Sequence, residues 1–289
     1  MTPPEGGARG IAREAADGHG FGRGDGSRPV VVDSLGKTFY DESRGAVRAV
    51  DGVEFSCEKG EIFGLLGANG AGKTTTLRML STILEPTDGT ARVMGHDVRE
   101  EPEAVRRSLG FYSASTALYP RLTARETLDF FARINGMARH AVEDRVEDLV
   151  ERFGIAEYAD ARVEKLSSGM KQKVSIARTV AHDPPVLIFD EPTVGLDVMN
   201  ALEMHRILKD LRDGGKALIF STHIMSEAEK LCDRIAIIHR GRILASGTLK
   251  ELRQRTGQHY LEDIFVHFVG AREEEVSEEA AMEQLAEER

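Results

Sequence analysis

No apolar run in this 289-residue chain approaches the roughly 20 residues that a membrane-spanning helix requires. The longest runs, such as Val186 to Phe189 and Ile235 to Ile238, are the length of a strand. The N-terminus lacks the apolar core of a secretory leader, so the chain is expected to be soluble by itself. Cysteine is scarce. Cys57 and Cys232 lie far apart without metal-ligand spacing, and read as two small buried hydrophobes in a reducing compartment. A basic stripe is also missing. The formal net charge is −10, and Ala271 to Arg289 hold eight Glu against two Arg, which leaves the rest of the chain near −4. That balance argues against nucleic acid as a partner.

What is present begins with 41% hydrophobic residues, enough for a sizeable core in one large domain or two smaller ones. The most informative stretch is Glu61 to Leu80, EIFGLLGANGAGKTTTLRML. It reads as a short strand over Ile62 to Leu66, a glycine-rich loop, and a helix opening at Lys73. Gly67, Gly72, Lys73 and Thr74 satisfy G-x-x-x-x-G-K-[ST] in the strand-before, helix-after setting the motif needs. Gly67, Gly70 and Gly72 lack side chains, so backbone N–H groups can close around phosphate oxygens. The helix N-terminus adds orphan donors and the positive end of its dipole. In such a loop Lys73 reaches the β- and γ-phosphates and the Thr74 hydroxyl holds Mg²⁺.

Further along, Met1 to Arg28 is rich in glycine without periodicity and is expected to be a disordered tail. Val30 to Val32 and Val47 to Phe55 read as strands, with a polar turn over Asp41 to Gly45. Phe39 or Tyr40 could stack on a nucleobase, although an aromatic in a strand more often belongs to the core. Thr123 and Glu126 form a capping box ahead of a helix, and Ala141 to Phe153 reads as a second amphipathic helix; together they make a helical insert. Leu166-Ser167-Ser168-Gly169-Met170 opens another helix, expected to run to about His182, with Ser167 as N-cap. Val186 to Glu191 is an apolar run ending in two carboxylates, which suits a buried parallel strand whose carboxyl end carries a site. Asp190 fits the acid that orients Mg²⁺, and Glu191 can then polarise an attacking water. A lone histidine is usually structural. His223 differs, since it follows the strand Ala217 to Phe220 and stands where it can hydrogen-bond a γ-phosphate. Ile235 to His239 and Arg242 to Ala245 read as an edge hairpin.

Taken in order over Pro29 to Gly257, these elements resemble the ATP-binding subunits of ABC transporters. Gly67-Ala68-Asn69-Gly70-Ala71-Gly72-Lys73-Thr74-Thr75 matches the Walker A motif, and Val186 to Pro192 matches Walker B with its adjacent glutamate. Leu166 to Met170, LSSGM, resembles the signature usually written LSGGQ. Gly195-Leu196-Asp197 is similar to the D-loop, and His223 falls at the switch histidine. The resemblance implies a P-loop α/β fold with a mainly parallel core sheet, an antiparallel β subdomain and an α-helical insert over about residues 114–165. It implies an ATPase domain over residues 29–257, followed by a short C-terminal element and acidic tail over 258–289.

By the same resemblance, ATP and Mg²⁺ are the cofactors, and two copies form a head-to-tail homodimer. Each nucleotide then lies between one subunit's Walker motifs and Ser167, Gly169 and Met170 of the other, Asp197 couples the sites, and Phe39 stacks on adenine. A separately encoded membrane permease would hold the dimer at the cytoplasmic face of the membrane. One position departs from the family: Ala114 stands where a glutamine normally supplies an Mg²⁺ ligand, leaving Ser113, Ser115 or a water to replace it. The segments LGFYSASTALYPRLTARE, IARTVAHDP and FSTHIMSEAEKLCDRIAIIHRG resemble ATPases of sodium-extruding exporters, with a drug or lipid exporter as the alternative. A soluble ABC ATPase working on ribosomes or DNA fits less well, because there is one Walker A motif and no long heptad run.

Overall fold

Three short runs, Ile62–Leu66, Val186–Asp190 and Ala217–Thr222, are buried along their whole length, as strands covered on both faces must be. The computed structural model describes residues 28–41, 45–113 and 116–287. The expected tail before Arg28, the middle of the polar turn (Glu42 to Arg44) and the positions Ala114 and Ser115 lie outside the described residues.

The chain forms β1 (Val30–Asp41), β2 (Gly45–Cys57), β3 (Ile62–Leu66), α1 (Lys73–Leu80), β4 (Asp88–Val93), β5 (His96–Asp97), α2 (Pro102–Ser108) and β6 (Leu109–Ser113). Next come α3 (Ala124–Ile134) and α4 (Arg139–Arg152), two short 3₁₀ turns, then α5 (Ser168–Thr179), β7 (Val186–Asp190) and α6 (Val198–Asp213). It finishes with β8 (Ala217–Thr222), α7 (Met225–Leu231), β9 (Arg234–His239), β10 (Arg242–Gly247), α8 (Leu249–Thr256) and α9 (Leu261–Glu287). One sheet has the order β2-β1-β4-β5 and is antiparallel. The other has the order β10-β9-β3-β8-β7-β6, parallel from β9 to β6 with β10 antiparallel at the edge. This is the core sheet, β subdomain and helical insert that the sequence predicts. Among the described residues no helix is long and apolar enough to cross a membrane.

Side chains alternate across the core sheet with period two. Leu187, Phe189, Leu218 and Phe220 pack into a cluster with the apolar faces of α3 to α6. Val186, Ile188, Ala217 and Ile219 face the opposite way, toward α1 and the antiparallel sheet, where Phe55 stacks on Phe63 at 4.8 Å. Each of these Val, Leu, Ile and Phe side chains contributes about 1.5–3 kcal/mol when fully buried. That burial holds the strand ends that carry the site.

Local signals set most boundaries. Thr123 closes a capping box with Glu126 at the start of α3. Ser167 caps α5 by accepting from the Met170 N–H. α5 stops at Thr179, short of the expected His182, and Asp183 adopts a left-handed φ of 57° just before Pro184.

Candidate ATPase site

The phosphate loop leaves β3 at Leu66 and re-enters regular structure at Lys73. It is wedged against its neighbours, which is why glycine is needed. A Cβ at Gly67 would lie 2.4 Å from the Ile238 carbonyl oxygen, and one at Gly72, where φ is 105°, would lie 2.7 Å from the Ala49 carbonyl oxygen. Asn69, Gly70, Gly72, Lys73, Thr74 and Thr75 line a cavity of about 220 Å³ together with Ala49 and Glu191. Ala68 and Ala71 belong to the loop backbone: the Ala71 N–H donates to the Ala68 oxygen at 3.2 Å. Whole-ligand pockets run to roughly 300–1,000 Å³, so this cavity has the size for phosphates rather than for a complete nucleotide.

Lys73 is 4% exposed, and all three of its donors are engaged. Its Nζ donates to the carbonyls of Gly67 (2.7 Å) and Ala68 (3.1 Å) and lies 3.1 Å from Glu191 Oε1. The Thr74 hydroxyl donates to Asp190 Oδ1 at 3.1 Å, and the Ser221 hydroxyl donates to the same oxygen at 2.8 Å. Glu191 follows β7 in a left-handed conformation with φ of 49°. Such a conformation costs a non-glycine residue about 1–3 kcal/mol and persists only where neighbours impose it. Ser221 imposes it here, accepting from the Glu191 N–H at both its carbonyl (3.2 Å) and its hydroxyl (3.1 Å). Glu191 Oε1 also lies 3.3 Å from His223 Nδ1.

One chain therefore brings together the loop, Lys73, Thr74, Asp190, Glu191 and His223. Ser167, Gly169, Met170, Asp197 and Phe39 do not line the phosphate cavity. The first four form a second locus. Asp197 caps α6, accepting from the N–H groups of Asn200 and Met199 at 3.0 Å each, and these bonds with the Asn200 amide hold its carboxyl below the usual range. Asn200 also faces Gly169, where a Cβ would meet its side chain at 3.4 Å. Met170 packs its side chain on the helical cluster. Phe39 is 40% exposed, with the Lys37 ammonium 5.5 Å from its ring centroid. Ser221 has no role in the sequence reading; the only signal it offers is that of a polar residue near the end of a buried strand.

Among the described residues no group of three or more His, Cys, Asp or Glu is gathered for a metal. Asp190 and Thr74 present two hard oxygens beside the phosphate cavity. That donor set fits Mg²⁺, which one or two carboxylates usually hold together with substrate phosphates.

A glycine loop closing on a helix N-terminus, with a carboxylate pair at the end of a buried strand in the same sheet, defines a P-loop nucleotide triphosphatase. Residues 50–194 match the ABC transporter family. The chain belongs to that family and is an ATP-binding, ATP-hydrolysing subunit. It is 40% identical over 238 residues to the ABC transporter ATP-binding protein NatA of Bacillus subtilis (strain 168), covering 82% of this chain and 96% of NatA. It is 38% identical over 235 residues to the daunorubicin/doxorubicin resistance ATP-binding protein DrrA of Streptomyces peucetius, covering 81% of this chain and 70% of DrrA. A solved dimeric ATP-binding cassette in a post-hydrolysis state, bound to ADP and Pi, superposes with a TM-score of 0.69 at 25% identity, over 76% of this chain and 98% of that one.

Proposed function

We propose that this chain is the motor of an ABC exporter. Two copies close head to tail over two MgATP, hydrolyse them, and so drive a separately encoded membrane permease from the cytoplasmic face. The observation that carries this reading is the division of the site. The phosphate cavity has its own lysine and carboxylates, while Ser167, Gly169, Met170 and Asp197 stand outside it. A second copy of the chain would bring its signature segment to the open side of that cavity, as the dimeric state of the solved cassette suggests.

In this mechanism the loop N–H groups of Gly67 to Thr75 receive the phosphate oxygens. Lys73 exchanges its contact with Glu191 for the β- and γ-phosphates. Thr74 and Asp190 hold Mg²⁺, which when bound neutralises charge on the phosphates. Glu191, released from Lys73, accepts a proton from the attacking water as the oxygen adds to the γ-phosphorus and ADP departs. His223 hydrogen-bonds the γ-phosphate and keeps Glu191 oriented through their 3.3 Å contact. Phe39 stacks on adenine, and Asp197 transmits closure between the two sites. Hydrolysis survives Ala114 because Thr74, Asp190 and Glu191 remain in place.

For cargo we propose sodium ions, on the three segments between Leu109 and Gly241 that resemble sodium-exporter ATPases and on the kinship with NatA. The kinship with DrrA, named for daunorubicin/doxorubicin resistance, favours a drug as the second reading. Sedimentation velocity of the purified chain tests the division of the site. A hydrolysis-blocked variant should sediment as a dimer with MgATP and as a monomer without it. ATP bound stoichiometrically by a chain that stays monomeric overturns the reading. Cells given the chain and its permease should gain sodium tolerance; drug tolerance alone would select the second cargo.

A further inference from the structure

One buried carboxylate outside the reacting cluster ties together the segments on which that cluster stands. Glu227, in α7, is 8% exposed. Its Oε2 accepts from the hydroxyls of Thr193 and Thr222, both at 2.9 Å, and its Oε1 lies 3.8 Å from His205 Nε2 on α6. Thr193 stands two residues after Glu191, and Thr222 immediately precedes His223. The Thr222 oxygen also accepts from the Ile224 N–H at 2.9 Å. The turn bearing His223 is therefore pinned on both sides by one hydroxyl.

A buried carboxylate is costly unless its lone pairs are filled. Burial pushes the Glu227 carboxyl up, and the nearby His205 imidazole with the hydroxyl bonds from Thr193 and Thr222 outweighs that and holds it below the usual range. It stays ionised and acts as acceptor to both threonines. The threonine hydroxyls are buried as well, so neither has water as a substitute partner.

We propose that Glu227 is a positioning residue for ATP hydrolysis: through Thr193 and Thr222 it sets the separation of Glu191 and His223. It does not line the phosphate cavity, so it acts through those two residues. The proposal rests on their assignment to the reaction. A small displacement of a reacting group commonly costs up to about 100-fold in rate.

The test uses the purified full-length chain with steady-state MgATP turnover. Glu227→Leu keeps the side-chain volume and removes both acceptor oxygens. It should lower kcat roughly 10- to 100-fold while KM for ATP stays within about threefold, since the phosphate loop keeps its contacts. In a His223→Ala background, Glu227→Leu should cost less than about twofold more, because residues acting as a unit are not additive. Thr222→Val should reproduce the kcat loss and Thr222→Ser should recover most of it. That comparison carries the test if the leucine variant does not fold. Parental kcat in Glu227→Leu, a KM that rises in step with the kcat loss, or full additivity with His223→Ala each overturn the role of Glu227 alone. A parent chain that turns over no MgATP overturns the hydrolytic assignment and this role with it.

Discussion

Changing Glu191→Gln separates the two duties proposed for that side chain, pairing with Lys73 and accepting a proton from water. Glu191 Oε1 sits 3.1 Å from the Lys73 ammonium, with Glu191 24% exposed and Lys73 4% exposed. Before ATP can engage Lys73, that ion pair has to break. A pair of this partial exposure contributes about 1 kcal/mol at most. Removing its negative charge should therefore raise ATP affinity, by up to roughly fivefold. The amide keeps the shape and can hold the same left-handed φ of 49°, so the loop geometry survives. The chemical step responds in the opposite direction. Loss of a positioned proton acceptor costs about 10²- to 10⁴-fold. Equilibrium titration with fluorescent ATP and single-turnover phosphate release measure the two effects independently. Turnover within tenfold of the parent would show that Glu191 is not the proton acceptor. A fall in affinity alongside the rate would refute the competition between Glu191 and phosphate.

Two further outcomes follow from buried charges. Lys73→Met keeps the aliphatic stem but removes three donors. Charge-assisted bonds to two phosphates contribute about 1.5–3 kcal/mol each, offset by about 1 kcal/mol already given to Glu191, so the Kd for ATP should rise at least roughly 30-fold. Equilibrium dialysis giving a Kd within threefold of the parent would mean that the lysine serves only the loop carbonyls. His182 is shielded at both ring nitrogens, and burial pushes its imidazole down to about 4. Its unfolded value is about 6.5, so the unfolded chain takes up a proton that the fold refuses; stability is complete above pH 6.5 and is lost as the pH falls toward 4. Relative to His182→Gln, the parent should lose about 2 kcal/mol between pH 7 and pH 5 in urea melts, and parallel stability curves would rule the mechanism out.

What the sequence reveals about this site is what chemistry within a few residues determines. The strand, loop and helix from Ile62 to Leu80 are contiguous, and their order alone defines a phosphate cradle. Ser167 and Thr123 announce helix starts because their oxygens bond N–H groups three residues on. The apolar run Val186 to Phe189 places its carboxylates at a strand end because period-two burial on both faces leaves it nowhere else in the sheet. The fold follows from the same signals. α5 ends early because the turn at Asp183 depends on backbone conformation, which residue types in a helical pattern do not reveal.

The rest of the site was hidden because it is made of long-range pairings. Glu191 and Ser221 are 30 positions apart, and Thr193 and Glu227 are 34 apart. No local pattern distinguishes Glu227 from Glu229, two places along the same helix. At about 100° per residue they point to opposite sides. Glu227 turns inward to the two threonines, and Glu229 turns outward to Arg253 at 3.5 Å. The choice between them is made by the face of α7 that meets β3 and β8, and so by the packing of the core sheet. The same packing explains Lys73: the motif predicts a phosphate ligand, and only the approach of β7 to the loop makes Glu191 its partner before nucleotide arrives. Local chemistry thus names the groups proposed to meet the phosphates, while the packing of the sheet decides which carboxylates stand beside them.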